Sequence, residues 1–228
     1  MRILVIVLEG LAPDQLLADE RLTNLRQLMS AGCYGALVPS VGASFEEDVV
    51  CEQLAQAGRQ VVLAEQKGQA LAQQTDNARS LLAEGGWDFV QVTLTAAPEA
   101  AGSGERSEAY ALDLDDEIGE VLDLLEDDTA VLLLAGPATS AENTLERERV
   151  LGAFVLAAPG YPPLGELRSV AWSDLAPTVL DLAGCDVPAW LHGQSLLAGY
   201  QPASDGDDLS LDEEALLRAR LAGLGYIG

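Results

Sequence analysis

Basic residues are scarce in this chain of 228 residues. Only twelve are Lys or Arg, with Lys67 the one lysine, against 37 Asp and Glu, and the formal net charge is −25. So few cations leave no basic patch to neutralise phosphates, which argues against nucleic-acid binding and against attraction to an anionic membrane. The acidity indicates either a solvated surface, which we favour, or a docking face for a basic protein partner.

Long apolar runs and paired cysteines are also missing. No run approaches the ~20 apolar residues of a membrane span, so we expect no membrane insertion, and the N-terminal run is too short for a signal peptide. Cys33, Cys51 and Cys185 are widely spaced and odd in number, which predicts buried free thiols in a reducing compartment and a cytoplasmic protein. The sequence has no GxGxxG, Walker or GxSxG motif, so a nucleotide-binding domain ranks last among the functions considered.

Short apolar runs alternate with helical patterns along most of the chain. The first run, Ile3–Leu8, is rich in β-branched residues and ends at Glu9, which is typical of a central strand in a parallel sheet. Towards the C-terminus a helix is predicted over Ser173–Ala183, with Ser173 and Asp174 as its cap. This alternation predicts a three-layer αβα sandwich with a mostly parallel central sheet.

A Ser/Asp-rich stretch divides the chain near its C-terminus. We expect residues 1–201 to form a single α/β domain. Residues 202–228 are predicted to form a linker, an amphipathic helix over Leu211–Gly223 and a short tail.

Glu9 occupies a position where a catalytic or ligand-binding residue is expected, because ligands bind at the carboxyl ends of strands in open parallel sheets. It is a candidate metal ligand or general base, although a carboxylate that caps the following turn is favoured. Ser40 and Ser44 lie in a small-residue loop, and a serine needs a base or a metal to become a nucleophile. The one histidine, His192, is predicted to be a turn residue ahead of Gly193.

Four acids lie close together within the predicted helix Glu108–Leu125. A carboxylate cluster is one interpretation of this group, but its position on the polar face favours a solvated surface. The four acids are Asp113, Asp115, Asp116 and Glu117. Taken alone, the residues predict a soluble α/β domain without a convincing catalytic constellation.

The stretch Ser173–Leu197 (SDLAPTVLDLAGCDVPAWLHGQSLL) resembles the region near the C-terminus of alkaline phosphatase superfamily proteins, closest to the sulfatase and type I phosphodiesterase branches. In that region a helix carrying Asp-x-x-Pro-Thr leads to an x-Gly-x-Ser-Leu turn. The opening VIVLEGLAPDQL, followed by LTNLRQLMSAGCYGAL, resembles the superfamily's first strand and helix, with Glu9-Gly10 in place of Asp-Gly. GAFVLAAPG at 152–160 and the ending LRARLAGLGYIG are weaker likenesses. The resemblance implies an alkaline-phosphatase-like fold in a shortened form.

The resemblance also implies a mechanism in which two metal ions, usually zinc, activate a Ser or Thr nucleophile and clamp a phosphate or sulfate ester. Carried over by position, the first metal ligand falls on Glu9, the nucleophile on Ser40 or Ser44, and a histidine position near Glu148. The Asp and His residues expected after the fourth and fifth strands are missing. Two zinc ions need several direct ligands, and surrounding groups cannot replace them.

Two hypotheses follow from the missing ligands. The first is a catalytically inactive alkaline phosphatase superfamily protein that acts as a binding, regulatory or structural subunit, with a protein partner or by self-association and without a cofactor. The second is a minimal metal-dependent hydrolase of phosphate or sulfate esters. In it, Glu9 and acids such as Glu46, Asp48 or Glu148 would hold a divalent metal, either Zn²⁺ or an ion that prefers oxygen ligands, such as Mg²⁺ or Mn²⁺. The second hypothesis predicts that Glu9 and two other acids converge at the carboxyl edge of the sheet.

Overall fold

The computed structural model describes residues 1–38, 45–65, 69–96, 105–136 and 152–198. Within these ranges the chain forms eight strands and six α-helices. The strands are β1 Arg2–Glu9, β2 Cys33–Val38, β3 Val61–Glu65, β4 Phe89–Thr95, β5 Thr129–Ala135, β6 Gly152–Ala157, β7 Gly165–Glu166 and β8 Val170–Ala171. The helices are α1 Pro13–Ala18, α2 Thr23–Ser30, α3 Glu47–Gln56, α4 Leu71–Glu84, α5 Glu105–Leu122 and α6 Leu175–Leu182.

The strands form one sheet in the order β3-β4-β1-β5-β6-β2-β7, and β8 also pairs with β2. Every pairing is parallel except those of β6, which runs antiparallel to β5 and β2. The prediction of a mostly parallel sheet is therefore confirmed. The reversed direction of β6 was not predicted, because a short apolar strand has the same residue pattern in either direction.

Helices cover both faces of the sheet and complete the predicted three layers. Because side chains alternate along a strand, each strand contributes to two separate cores. Leu4, Ile6 and Leu8 belong to the core beneath α1, α2, α4 and α5. Ile3 and Val5 belong to the core beneath α3 and α6.

The predicted elements are found with small shifts, and the main omission is α1. This helix has six residues, starts with Pro13 at a position that suits proline, and buries only Leu16, so its apolar pattern is too short to recognise. Asp174 does precede α6, but its carboxylate makes no cap bond to that helix. Asp174 is thus the capping residue of α6, as predicted, without a side-chain bond to that helix, and the partners of its carboxylate are given below.

A buried carboxylate joins α2 to α5. Asp115 of α5 is only 2% exposed. Its carboxylate accepts hydrogen bonds from the Leu25 N–H at 2.8 Å and the Asn24 N–H at 3.0 Å. The residue ahead of α2, Leu22, provides no side-chain cap. Asp115 therefore supplies the acceptor that the first N–H groups of α2 need and that the local sequence lacks.

The prediction of a solvated acidic face is thus wrong for half of the four acids of α5. Asp113 and Asp116 are exposed as expected, whereas Asp115 is buried. Glu117 is half-buried and accepts a hydrogen bond from Thr75 of α4. The helix directs two of its acids towards neighbouring helices, because α5 lies between α2 and α4.

The predicted linker, helix and tail over 202–228 lie outside the described residues. Among the helices that are described, none is long and apolar enough to cross a membrane.

Candidate functional site

The carboxyl ends of the parallel strands share one edge of the sheet, and the antiparallel β6 begins there. The Ala96 N–H, just after β4, donates to the Glu9 carbonyl at 2.8 Å. The Gly136 N–H, just after β5, donates to the Leu8 carbonyl at 3.4 Å. The connections that follow β4 and β5 therefore leave the sheet beside Glu9, at the edge where ligands bind in open parallel sheets.

Glu9 is half-buried at this edge. It lies in register with Thr95 of β4, and its Oε2 accepts a hydrogen bond from the Thr95 hydroxyl at 3.0 Å. The bond crosses between strands and does not involve the turn that follows β1. The expected turn cap is therefore replaced by a hydrogen bond across the sheet, and the hydroxyl that provides it is neutral.

A strip of polar side chains leads along β4 to this position. Gln91 and Thr93 are 5% and 7% exposed, and they alternate with apolar residues on the same face as Thr95. The Gln91 amide donates to Glu47 at the start of α3, while its Oε1 is buried without a hydrogen-bond partner among the described residues. Sequence reasoning missed this strip. The signal is the Gln-Val-Thr-Leu-Thr alternation of 91–95, because a strand buried on both faces is normally apolar throughout.

The opposite face of the same strand end is held by a fully buried amide. Gln74 of α4 donates through Nε2 to the Thr95 carbonyl at 3.0 Å and to the Gln69 carbonyl at 2.8 Å. Its Oε1 accepts from the Thr95 N–H at 2.8 Å. Both backbone groups of Thr95 are thereby fixed, and the hydroxyl that bonds Glu9 is attached to a rigid backbone.

The other predicted site residues do not join Glu9 within the described part of the chain. Ser40, Ser44 and Glu148 lie outside the described residues. Glu46 and Asp48 flank the start of α3, where Glu47 is the acid bonded to Gln91. Over the described ranges, no group of three or more His, Cys, Asp or Glu is placed so that it could hold a metal ion.

His192 is exposed in the loop that follows α6. Its neighbour Gly193 has a φ of +95°, and a Cβ there would lie 2.1 Å from the Ser173 carbonyl oxygen. The loop is therefore pressed against the turn ahead of α6, just after β8. Strand β8 is four strands away from β1, on the order of 19 Å at the usual strand spacing.

The segment that carries the superfamily resemblance forms a hydrogen-bonded clasp between α6 and this loop. The Asp174 carboxylate accepts from the Ala171 N–H and the Gln194 N–H, each at 2.9 Å. The Thr178 hydroxyl accepts from the Leu196 N–H at 2.9 Å. The Asp-x-x-Pro-Thr and Gly-x-Ser-Leu residues of this chain thus fix a loop to a buried helix, which is a structural role.

The three cysteines are free thiols, as predicted. Cys33 is buried, whereas Cys51 and Cys185 are half-buried, so full burial was predicted correctly only for Cys33. Burial raises the pKa of the Cys33 thiol to about 11. The pKa of Cys51 is also raised to about 11, first by burial and then by the charges of Glu47 and Asp48. Neither is a thiolate near neutral pH, so neither is suited to nucleophilic chemistry.

Comparison with known proteins finds no matching family model and no match among curated proteins. Solved structures do match. An alkaline phosphatase superfamily protein from Vibrio parahaemolyticus has a TM-score of 0.62 at 16% identity, over 89% of this chain and 70% of its own. A phosphonate monoester hydrolase from Silicibacter pomeroyi has 0.62 at 14% identity, over 89% and 78%. Human ectonucleotide pyrophosphatase/phosphodiesterase 5 has 0.65 at 7% identity, over 86% and 97%.

These matches confirm the resemblance at the level of fold: the chain has an alkaline-phosphatase-like α/β sandwich. Identities between 7% and 16% establish the architecture alone. Unrelated functions can share one fold, so the activity has to be argued from the residues at the carboxyl edge.

Proposed function

We propose that this chain is a catalytically inactive protein with an alkaline-phosphatase-like fold, and that it acts as a regulatory or structural subunit by binding a protein partner. The observation that supports the proposal is the hydrogen bond between Glu9 and the Thr95 hydroxyl. This bond engages the Glu9 carboxylate, and the resemblance puts the first metal ligand at the position of Glu9. The sequence provides no histidine other than His192, which lies far along the same edge.

The surface supports a binding role. The chain carries a net charge of −25, which attracts basic partners over a distance set by ionic strength. In the loop after α6, Trp190 is 62% exposed and Val187 is 41% exposed. An exposed tryptophan is the type of side chain that anchors protein interfaces.

Turnover measurements test the loss of catalysis. The purified full chain, supplied in turn with Zn²⁺, Mn²⁺ and Mg²⁺, is assayed against an aryl phosphate, an aryl phosphodiester and an aryl sulfate. We expect rates equal to those of the Glu9→Ala variant, which controls for a contaminating hydrolase. Turnover that disappears in Glu9→Ala would overturn the proposal.

Affinity capture from the native host, at low and high salt, tests the binding role. We expect one basic partner that is retained at low salt and lost at high salt, because screening weakens attraction between exposed charges. The Trp190→Ala variant should retain less of that partner than a Leu124→Ala variant, which removes another exposed apolar side chain elsewhere. Equal capture by both variants would exclude Trp190 from the interface.

A second candidate function, a minimal metal-dependent ester hydrolase, is favoured by one observation. The segments that contain Ser40 and Glu148 connect to strand ends at the same sheet edge as Glu9, through Val38 and Gly152. In this function Glu9 and Glu148 would be oxygen ligands for Mg²⁺ or Mn²⁺. Stoichiometric Mn²⁺ binding that is lost in both Glu9→Gln and Glu148→Gln would support it. Binding that survives both substitutions would exclude it.

A further inference from the structure

A cleft opens at the opposite, amino edge of the sheet. Its volume is about 530 Å³, within the range of ligand-binding cavities. The walls are the C-terminal half of α2 and the end of α5, and the floor is the start of β5 and the end of β6. The residues that line it include Gln27, Leu28, Leu122, Thr129, Val131 and Ala157.

The cleft combines an apolar interior with an acidic rim. Leu28 and Val131 are part of the core beneath α2 and α5, and Leu122 packs against that core. At the rim, Glu126 is paired with Arg2. Asp123 and Asp127 are exposed, and no basic side chain of the described residues pairs with them. A helix or peptide with an apolar stripe flanked by basic side chains would match both the apolar interior and the acidic rim of the cleft.

The cleft also contains a polar atom without a partner. The Thr129 hydroxyl is buried and has no hydrogen-bond partner among the described residues, and Thr129 is 8% exposed. A buried hydroxyl without a hydrogen-bond partner is unfavourable, so an occupant that offers it a polar group would be favoured over a purely apolar one.

The C-terminal sequence has the matching pattern. Leu217 and Leu221 are four residues apart on one face of the predicted amphipathic helix, and Leu224, directly after its last residue Gly223, continues the pattern three residues later. Arg218 and Arg220 lie on either side of that stripe, at angles of about +100° and −60° from Leu217. The three acids of this segment are confined to 212–214.

The described chain stops close to the cleft. Leu197 shares a small cavity with Ala158 and Tyr161, and these two residues also line the cleft. Residues 199–210 provide twelve residues of connection, which span about 40 Å when extended. Leu197 packs in the core beneath α3 and α6, so a helix that begins at Leu211 can reach the cleft by passing around the amino edge of the sheet.

We propose that residues 211–224 of this chain dock as a helix in the cleft between α2 and α5, with their leucines on the apolar floor and their arginines against Asp123 and Asp127. This binding mode is the usual one for an amphipathic helix in an apolar groove. The helix would complete the layer that α1, α2, α4 and α5 form on this face.

Zero-length crosslinking of the full chain tests the proposal. In the double variant Arg218→Lys and Arg220→Lys, the only other lysine is Lys67, so a carbodiimide can link few amines to carboxylates. We expect crosslinks from positions 218 and 220 to Asp123 or Asp127. They should disappear in Asp123→Asn/Asp127→Asn and persist in Asp113→Asn/Asp116→Asn, a matched change of charge at two exposed acids of α5.

Mixing isotopically light and heavy chains identifies the occupant. Crosslinks within chains of one isotope support the proposal. Crosslinks only between light and heavy chains would overturn it in favour of a second copy, and scattered or missing crosslinks would overturn docking altogether.

Amide exchange provides an independent measurement on the unmodified chain. Exchange over 215–224 should be about tenfold slower than in a Leu217→Asp/Leu221→Asp variant, the ratio that about 1.4 kcal/mol of docking free energy produces. Equal exchange rates in the two chains would contradict the proposal.

Discussion

The end of β1 and the junction of α2 with α5 each remove a carboxylate from bulk solvent, and they do so differently. Glu9 is half-buried and has the Thr95 hydroxyl as its side-chain partner. Asp115 is 2% exposed and accepts from two backbone N–H groups at the start of α2. Glu9, which the sequence singles out, therefore has fewer hydrogen-bond donors than Asp115. Asp115, which resembles an ordinary surface residue in the sequence, holds two helices together.

The space around the two carboxylates differs as well. A Cβ added to Gly119, one turn after Asp115, would lie 2.6 Å from the side chain of Asn24. A Cβ added to Gly136, beside the end of β1, would meet nothing within 4 Å among the described atoms. The contact between Gly119 and Asn24 is closely packed, whereas no described atom crowds Gly136, and close packing strengthens a structural contact.

Removal of the Asp115 carboxylate should have the largest effect on stability. Asp115→Ala leaves the Asn24 and Leu25 N–H groups without an acceptor inside the protein, and we expect a loss of about 3 kcal/mol. Urea unfolding monitored by circular dichroism measures the change. The control Asp113→Asn, at an exposed position on the same helix, should stay within about 0.5 kcal/mol of wild type. Similar losses in both variants would contradict the role given to Asp115.

Crowding at the junction should produce the next largest effect. Gly119→Ala forces the Asn24 side chain away from Asp115, and we expect a loss of about 1–2 kcal/mol after the gain in helix propensity. Thermal unfolding measures the difference. Gly136→Ala adds the same methyl group where no described atom lies within 4 Å, and it should change stability by about 0.5 kcal/mol or less. A greater loss in Gly136→Ala would reverse the comparison.

Substitutions at the end of β1 should have small effects on stability. Thr95→Val removes the hydroxyl donor to Glu9 and should cost about 1 kcal/mol. Glu9→Gln keeps an acceptor oxygen and should change stability by about 0.5 kcal/mol or less. Unfolding with and without Mn²⁺ sharpens the result, because only a metal site would make wild type, and not Glu9→Gln, more stable when the ion is present.

A surface carboxylate near the junction should have the smallest effect. The side chain and then the backbone N–H of Arg21 hydrogen-bond Asp19 and lower its pKa from 3.8 to about 2. A lowered pKa in the folded state means that the ion pair contributes stability above pH 3.8. This contribution is lost as the pH falls from 3.8 towards 2. Solvent screens the pair, so the gain is modest.

Carboxyl NMR titration measures the pKa of Asp19 directly. In Arg21→Gln the midpoint should move back towards 3.8, whereas Arg106→Gln, at an exposed arginine of α5, should leave it unchanged. An unchanged Asp19 midpoint in Arg21→Gln would show that Arg21 does not set this pKa.

Sequence patterns predicted the architecture well, since apolar periodicity is a local property. The alternation of strands and helices gave the αβα layers, and the uninterrupted apolar run of Ile3–Leu8 predicted a strand buried on both faces. The resemblance of Ser173–Leu197 to the alkaline phosphatase superfamily anticipated the fold that the solved structures share. Each of these signals is contained in a short, continuous segment of the sequence.

The tertiary structure alone decided the hydrogen-bond partners of Asp115 and Glu9 and the burial of the polar strip on β4. Asp115 caps a helix that is 91 residues away in sequence from the capping carboxylate, and Glu9 finds its donor 86 residues away. No local pattern reports such a partner, because a hydrogen bond depends on which elements pack together. The sequence by itself determined that β1 would be a buried strand ending in an acid. Only the packing of β4 against β1 decided that this acid would meet a hydroxyl, since register between distant strands is set by the whole sheet.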